Sequence, residues 1–170
     1  MKNLINIFGS LFLVFILFSC GKDADPALEI YVSAKKSDLY QSITMGHGYI
    51  RLFDGENGIS SIQQYDGLDV QIDLTKEDNP ILAGDVSHWA GIYNGLNAYL
   101  YNIEAVTLEG NTIKAFTLKN ASQQKYGGEF ELIDNVRYRI DFIYDIDKSI
   151  IIQESENAFD TVVEVKITQL

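Results

Sequence analysis

Cysteine is almost missing from this chain: Cys20 is the only one in 170 residues. One thiol excludes an intramolecular disulfide and any metal site built on several cysteines, so the fold must rest on its core. Positive charge is also scarce. Thirteen Lys and Arg stand against twenty-four Asp and Glu, a net charge of −11. Such a surface repels phosphate backbones and argues against a nucleic-acid partner. Histidine occurs twice, as His47 and His88. No window of a dozen residues holds a 3.6-residue hydrophobic period, and there is no internal repeat, low-complexity tract or second linker. What is plentiful is hydrophobic residues, 46% of the chain, enough for one sizeable core.

The first residues have an order of their own. Met1-Lys2-Asn3 precedes an apolar run from Leu4 to Phe18, followed by Ser19-Cys20-Gly21. A short basic region, an apolar region and a small residue before a cut are the pattern of an exported protein. The run falls short of the roughly 20 residues that span a bilayer, which disfavours a permanent membrane helix. Leu17-Phe18-Ser19-Cys20 resembles the lipobox of bacterial lipoproteins, whose Cys takes a diacylglycerol before cleavage. Residues 1–19 then read as the signal, Cys20 as the lipidated first residue, and 20–26 as a tether ending at Pro26. Loss of Lys2 with the signal leaves the mature chain at −12. Gly21-Lys22-Asp23-Ala24-Asp25 is similar to a tag that sends lipoproteins to the outer face of the outer membrane. A generic acidic tether is the alternative.

From residue 27 to 170 the dominant period is two. Leu28, Ile30 and Val32 alternate with Glu29, Tyr31 and Ser33, and Val70, Ile72 and Leu74 with Gln71 and Asp73. Tyr138, Ile140, Phe142, Tyr144 and Ile146 alternate with a face carrying Arg137, Arg139, Asp141, Asp145 and Asp147. Phe159, Thr161, Val163, Val165 and Ile167 repeat the pattern. Alternation of this kind marks strands with one face on a core and one in water, as in antiparallel sheets. Gly110-Asn111 reads as a two-residue hairpin loop, and Asp134-Asn135 as a second tight hairpin. Asp54-Gly55-Glu56-Asn57-Gly58 and Glu77-Asp78-Asn79-Pro80 are loop signals. The expectation is an all-β chain: one antiparallel β-sandwich of seven to nine strands, with at most a helical turn near Thr75–Asn79 or Asp85–Trp89.

Several segments in order resemble a family of bacterial and archaeal lipoprotein domains known as domain of unknown function 4382. They are Leu28–Val32, Val70–Leu74, Gly91-Ile92-Tyr93 leading to Leu96–Ile103, and the Gly110-Asn111 turn. Arg139–Phe142 running into Asp145-Ile146-Asp147-Lys148-Ser149-Ile150 follows, then Val162–Ile167. The resemblance implies a surface-anchored β-sandwich without an established activity, and supplies no catalytic residues.

Chemical constellations are thin. A metal site on His47, His88 and Asp85 would need distant segments to converge, and their spacing does not show it. There is no Gly-x-Ser-x-Gly elbow, and Ser87-His88 are only sequence neighbours. Asp145 and Asp147, adjacent on one strand face, are a weak calcium candidate, or else solvent-facing charges. A loop beginning at Asp54 has Tyr65 where an EF-hand needs Glu. Aromatics carry more: ten Tyr and one Trp. With Leu96, Ala98 and Leu100 on a core, Asn97, Tyr99 and Tyr101 would point outward together, with Trp89 and Tyr93 in the loop before them. Tyrosine, tryptophan and an amide suit sugar rings or a protein partner. The alternative is that these are cross-strand aromatic pairs that merely stabilise the sheet, or that the Tyr face is itself the core face. The expectation is therefore a non-enzymatic outer-membrane lipoprotein, a binding or structural module without a cofactor. A glycan-binding accessory of a polysaccharide-uptake system is the second reading, and a hydrolase the third.

Overall fold

The structure, a computed structural model, describes residues 24–54, 69–77, 79–114, 116–119, 124–153 and 156–170, and the backbone of 60–64. The expected signal (1–19), Cys20, the expected tether up to residue 23, the residues 55–59 and Tyr65 lie outside the described residues. About two thirds of the described residues are strand (66%), and 3% are helix.

The alternating segments form a first sheet. Strands β1 (Ala27–Ala34), β5 (Ile81–Ser87), β10 (Arg137–Tyr144) and β13 (Val163–Gln169) lie in the order β13-β10-β1-β5. Leu28, Ile30, Val32, Tyr138, Ile140, Phe142 and Tyr144 are all buried on one face. The other face carries the charges: Arg137 pairs with Glu29, Arg139 with Asp141, and the Arg139 guanidinium lies 4.1 Å from the Tyr31 ring centroid. Covering one face only is what makes these strands alternate.

The second sheet is built on two long strands, β2 (Tyr40–Asp54) and β6 (Gly91–Thr107), paired antiparallel. β3 (Ser60–Gln64) and β4 (Asp69–Asp73) share the far edge of β2. β7 (Thr112–Ile113) and β9 (Phe130–Leu132) pair with β6. The two sheets bury Ile43, Met45, Ile50, Leu52, Leu96 and Leu100 against the apolar face of the first. His47 belongs to this interior: it is 0% exposed, and its ring meets Phe142 edge-on at 5.0 Å and Tyr144 at 6.5 Å. A smaller sheet of β8 (Thr117–Lys119), β12 (Asn157–Asp160) and β11 (Ile150–Ile152) adds Phe159 to the core.

The all-β sandwich class holds, with differences in detail. Among the described residues thirteen strands replace seven to nine, because each long strand is flanked by short ones at different heights. Two pairings are parallel: β1 with β10, and β12 with β8. Alternation reports burial, not the direction of a neighbour. The run from Phe159 to Ile167 is two strands in different sheets. The Gly110 turn is a three-residue loop, Leu108-Glu109-Gly110, in which Gly110 takes φ +86° and Thr107 N–H donates to Asn111 O. Asn135 does adopt positive φ (64°), but β9 and β10 lie in different sheets, so this turn is a corner and not a hairpin.

Among the described residues helix occurs at neither expected place, only as the single turn α1 (Ile146–Ser149), which ends the alternation at Tyr144. Ile146 still points inward, but Asp145 and Asp147 therefore do not share a strand face with Asp141. The turn is held as a corner: Asp145 N–H donates to Val162 O, Ser149 Oγ–H to Asp145 O, and Val162 N–H to Ser149 Oγ.

Candidate ligand-binding face

The outer face of the β2–β6 ribbon is where the expected aromatic residues are tested. Two cross-strand pairs define it: Tyr49 opposite Tyr99, and Arg51 opposite Asn97. The Tyr49 and Tyr99 rings stack at 4.8 Å with 2° between their planes, and Tyr101 continues the row at 6.2 Å from Tyr99. Tyr99 is 42% exposed.

Tyr101 can lie low because of what is opposite it. Its cross-strand partner is Gly46, and a Cβ built there would run into the Tyr101 ring; one on Gly48 would come within 3.0 Å of it. The glycines leave a bare strip of backbone that the ring covers, while His47 between them turns inward. One short segment, Gly46-His47-Gly48-Tyr49, thus serves both faces of the sheet. The strip continues past Arg51 to Phe53, whose ring lies 4.7 Å from Lys125 Nζ, and Lys125 donates to Asn94 Oδ1 at 3.1 Å. Arg51 Nε is buried and has no hydrogen-bond acceptor among the described residues.

Three expected members of the patch are placed differently. Asn97 is 4% exposed, because the segment carrying Gln124 and Tyr126 pairs with the β6 edge at Leu96 and covers it. Its Nδ2 donates to Gln124 O at 3.0 Å, so Asn97 does not point outward with the tyrosines. Tyr93 is buried: its ring stacks on Phe130 at 5.6 Å and its hydroxyl donates to Trp89 O. Burial and the neighbouring Asp54 raise its pKa. Trp89 is exposed, but in the 88–90 segment ahead of β6 and not in the tyrosine row. Tyr49 and Arg51 are the residues that sequence reasoning missed. Tyr49 opposite Tyr99 and Arg51 opposite Asn97 become visible only once the β2–β6 register is known.

The remaining constellations do not converge. His47 faces Phe142 and Tyr144, whereas His88 Nδ1 lies 3.0 Å from the Tyr93 hydroxyl. Burial lowers both histidines, His47 to about 3, so both are neutral imidazoles at neutral pH. The Asp145 carboxylate pairs with Lys148 at 2.8 Å and Lys35 at 3.5 Å. Asp147 accepts from Ser37 Oγ and from Asp38 N–H, so the two carboxylates serve separate partners and do not form a calcium pair. No group of three or more His, Cys, Asp or Glu among the described residues is arranged to hold a metal. Hydrogen bonding to Lys148 lowers the Asp145 pKa, and Lys76 and Thr75 draw Asp73 down to about 2. Two surface cavities, of about 440 and 380 Å³, each include one acid in their lining, Glu104 and Asp73.

Comparison with known proteins returns nothing: no protein-family model, no curated protein and no solved structure matches this chain.

Proposed function

We propose that this chain is an outer-membrane, cell-surface lipoprotein anchored through Cys20, and a non-enzymatic binding module that holds its ligand on the Tyr49–Tyr99–Tyr101 row. The observation that carries the reading is the row itself: three tyrosines on the face away from the core, one backed by glycine, beside an Arg51 Nε with no acceptor among the described residues. Tyr and Arg supply large contact area with polar tips, the chemistry concentrated in the centres of binding surfaces. A glycosidase would need a carboxyl with a raised pKa next to a second one. Asp73 and Asp145 are lowered instead, each by a lysine partner. Kinship with the domain of unknown function 4382 family belongs to the same proposal and adds no site residue.

The second reading, a glycan-binding accessory of a polysaccharide-uptake system, is favoured by Arg51 beside the rings, since sugars combine apolar faces with hydroxyl acceptors. A glycan array and a pull-down from outer-membrane extract, both with the soluble chain from residue 24, separate a glycan from an outer-membrane protein partner. Labelled fatty acid should enter the wild-type protein and be absent from Cys20→Ser. Label in Cys20→Ser would refute the anchor, and enzymatic turnover of a captured glycan would refute the non-enzymatic role.

A further inference from the structure

The strongest unexplained surface lies at the end of the sandwich where the chain enters it. Trp89 is 68% exposed, yet its backbone is pinned: Trp89 O accepts from Tyr93 Oη, and His88 N–H donates to Pro26 O at 3.0 Å. The indole is therefore presented by a fixed loop next to the first described residues. The 133–136 turn meets the same place. Asn135 N–H donates to Ala24 O, Ala24 N–H donates to Asn135 Oδ1, and Ala27 N–H donates to Val136 O. Two more large apolar side chains are exposed near this end, Ile92 on β6 and Ile133 just past β9. Ile92 pairs with Glu131 and Gly91 with Leu132, so Ile133 stands one step further along the β6–β9 ladder, diagonal to Ile92.

We infer that Trp89, with Ile92 and Ile133, docks into the headgroup region of the bilayer and fixes the orientation of the domain on its membrane. The inference rests on the anchor reading. Cys20 precedes Ala24 by four residues, a reach of at most about 14 Å when fully extended. A domain tethered that closely keeps this end against the lipid surface. Tryptophan is the side chain most suited to that boundary, with an apolar body and an N–H that stays in the polar layer. The charges bear on the lipid: Asp25, Glu131 and Asp134 are exposed around this end against Arg137, which pairs with Glu29, so a zwitterionic surface suits it better than an anionic one.

Trp89 is the sole tryptophan, so intrinsic fluorescence reports on it alone. The acylated full chain is reconstituted into phosphatidylcholine vesicles, with and without acyl chains brominated near the headgroup. Label incorporation is measured on the same sample. The expected result is emission shifted to the blue of that from the soluble Cys20→Ser protein, together with quenching by the brominated lipid. Ile133→Asp, with an unchanged far-UV spectrum, should weaken the quenching, as should phosphatidylglycerol in the vesicles. An acylated protein whose Trp89 emits as Cys20→Ser does, unquenched, overturns the docking and leaves the anchor standing. A protein that takes no label overturns the anchor, and the docking with it.

Discussion

His47 makes the interior of the sandwich sensitive to acid. It is fully buried between the sheets, with Phe142 edge-on at 5.0 Å and Tyr144 at 6.5 Å, and burial lowers its pKa from 6.5 to about 3. In the unfolded chain the imidazole gains a proton near pH 6.5, while the folded protein refuses it until about pH 3. The unfolded state therefore binds more protons across that interval, and folding stability is full above pH 6.5 and falls as the pH drops toward 3. Each pH unit costs about 1.4 kcal/mol, so the two units between 6.5 and 4.5 cost on the order of 3 kcal/mol from this group alone. His47→Leu keeps the volume roughly constant and removes the titration. Asp73 and Asp145, whose pKa values are lowered, titrate below the ordinary carboxylate value of 3.8 and lie outside this window; His88 is common to both proteins. Urea unfolding followed by circular dichroism, between pH 7 and 4.5, should show wild type losing stability more steeply than His47→Leu. Parallel pH profiles would refute the burial of a neutral His47.

Two further outcomes test the two faces of the same ribbon. Gly46→Ala should destabilise the wild type by about 1–3 kcal/mol through overlap with the Tyr101 ring, and by much less in a Tyr101→Ala background; a double-mutant cycle in urea reads the coupling. Phe142→Ala should cost about 3–5 kcal/mol as a core cavity, while Asp141→Ala on the outer face, losing an ion pair with Arg139, should stay within about 1 kcal/mol by the same assay.

Much of the framework was legible where burial is one-sided. The alternation in Leu28–Val32 and Tyr138–Tyr144 places Leu28, Ile30, Val32, Tyr138, Ile140, Phe142 and Tyr144 on the core side, as observed, with Ile143 the apolar exception on the outer face. Strand direction was not legible, because β1 and β10 are separated by the whole second sheet and either direction leaves the same alternation. The helical turn at Ile146–Ser149 hid inside a period-two pattern: Ile146 is buried after Tyr144, as it would be in a strand. For the candidate face, Leu96 and Leu100 correctly put Tyr99 and Tyr101 outside. Asn97 follows the same parity but is covered by the segment at Gln124–Tyr126, a long-range contact with no local signature. Tyr49 was missed because the bulge between His47 and Tyr49 shifts the phase of β2, and only the register brings Tyr49 onto Tyr99.

The claim on which the account depends is that the tyrosine row serves a ligand and not the fold. Tyr99→Ala decides it when stability and affinity are measured on the same soluble protein, using whichever glycan or outer-membrane protein the screens return. Tyr99 gives up a stacking contact on an exposed face, so unfolding stability should fall by only about 0.5–1.5 kcal/mol, whereas affinity should fall at least about tenfold. Unchanged affinity, or a stability loss of about 3 kcal/mol, would make the row part of the scaffold and contradict the account.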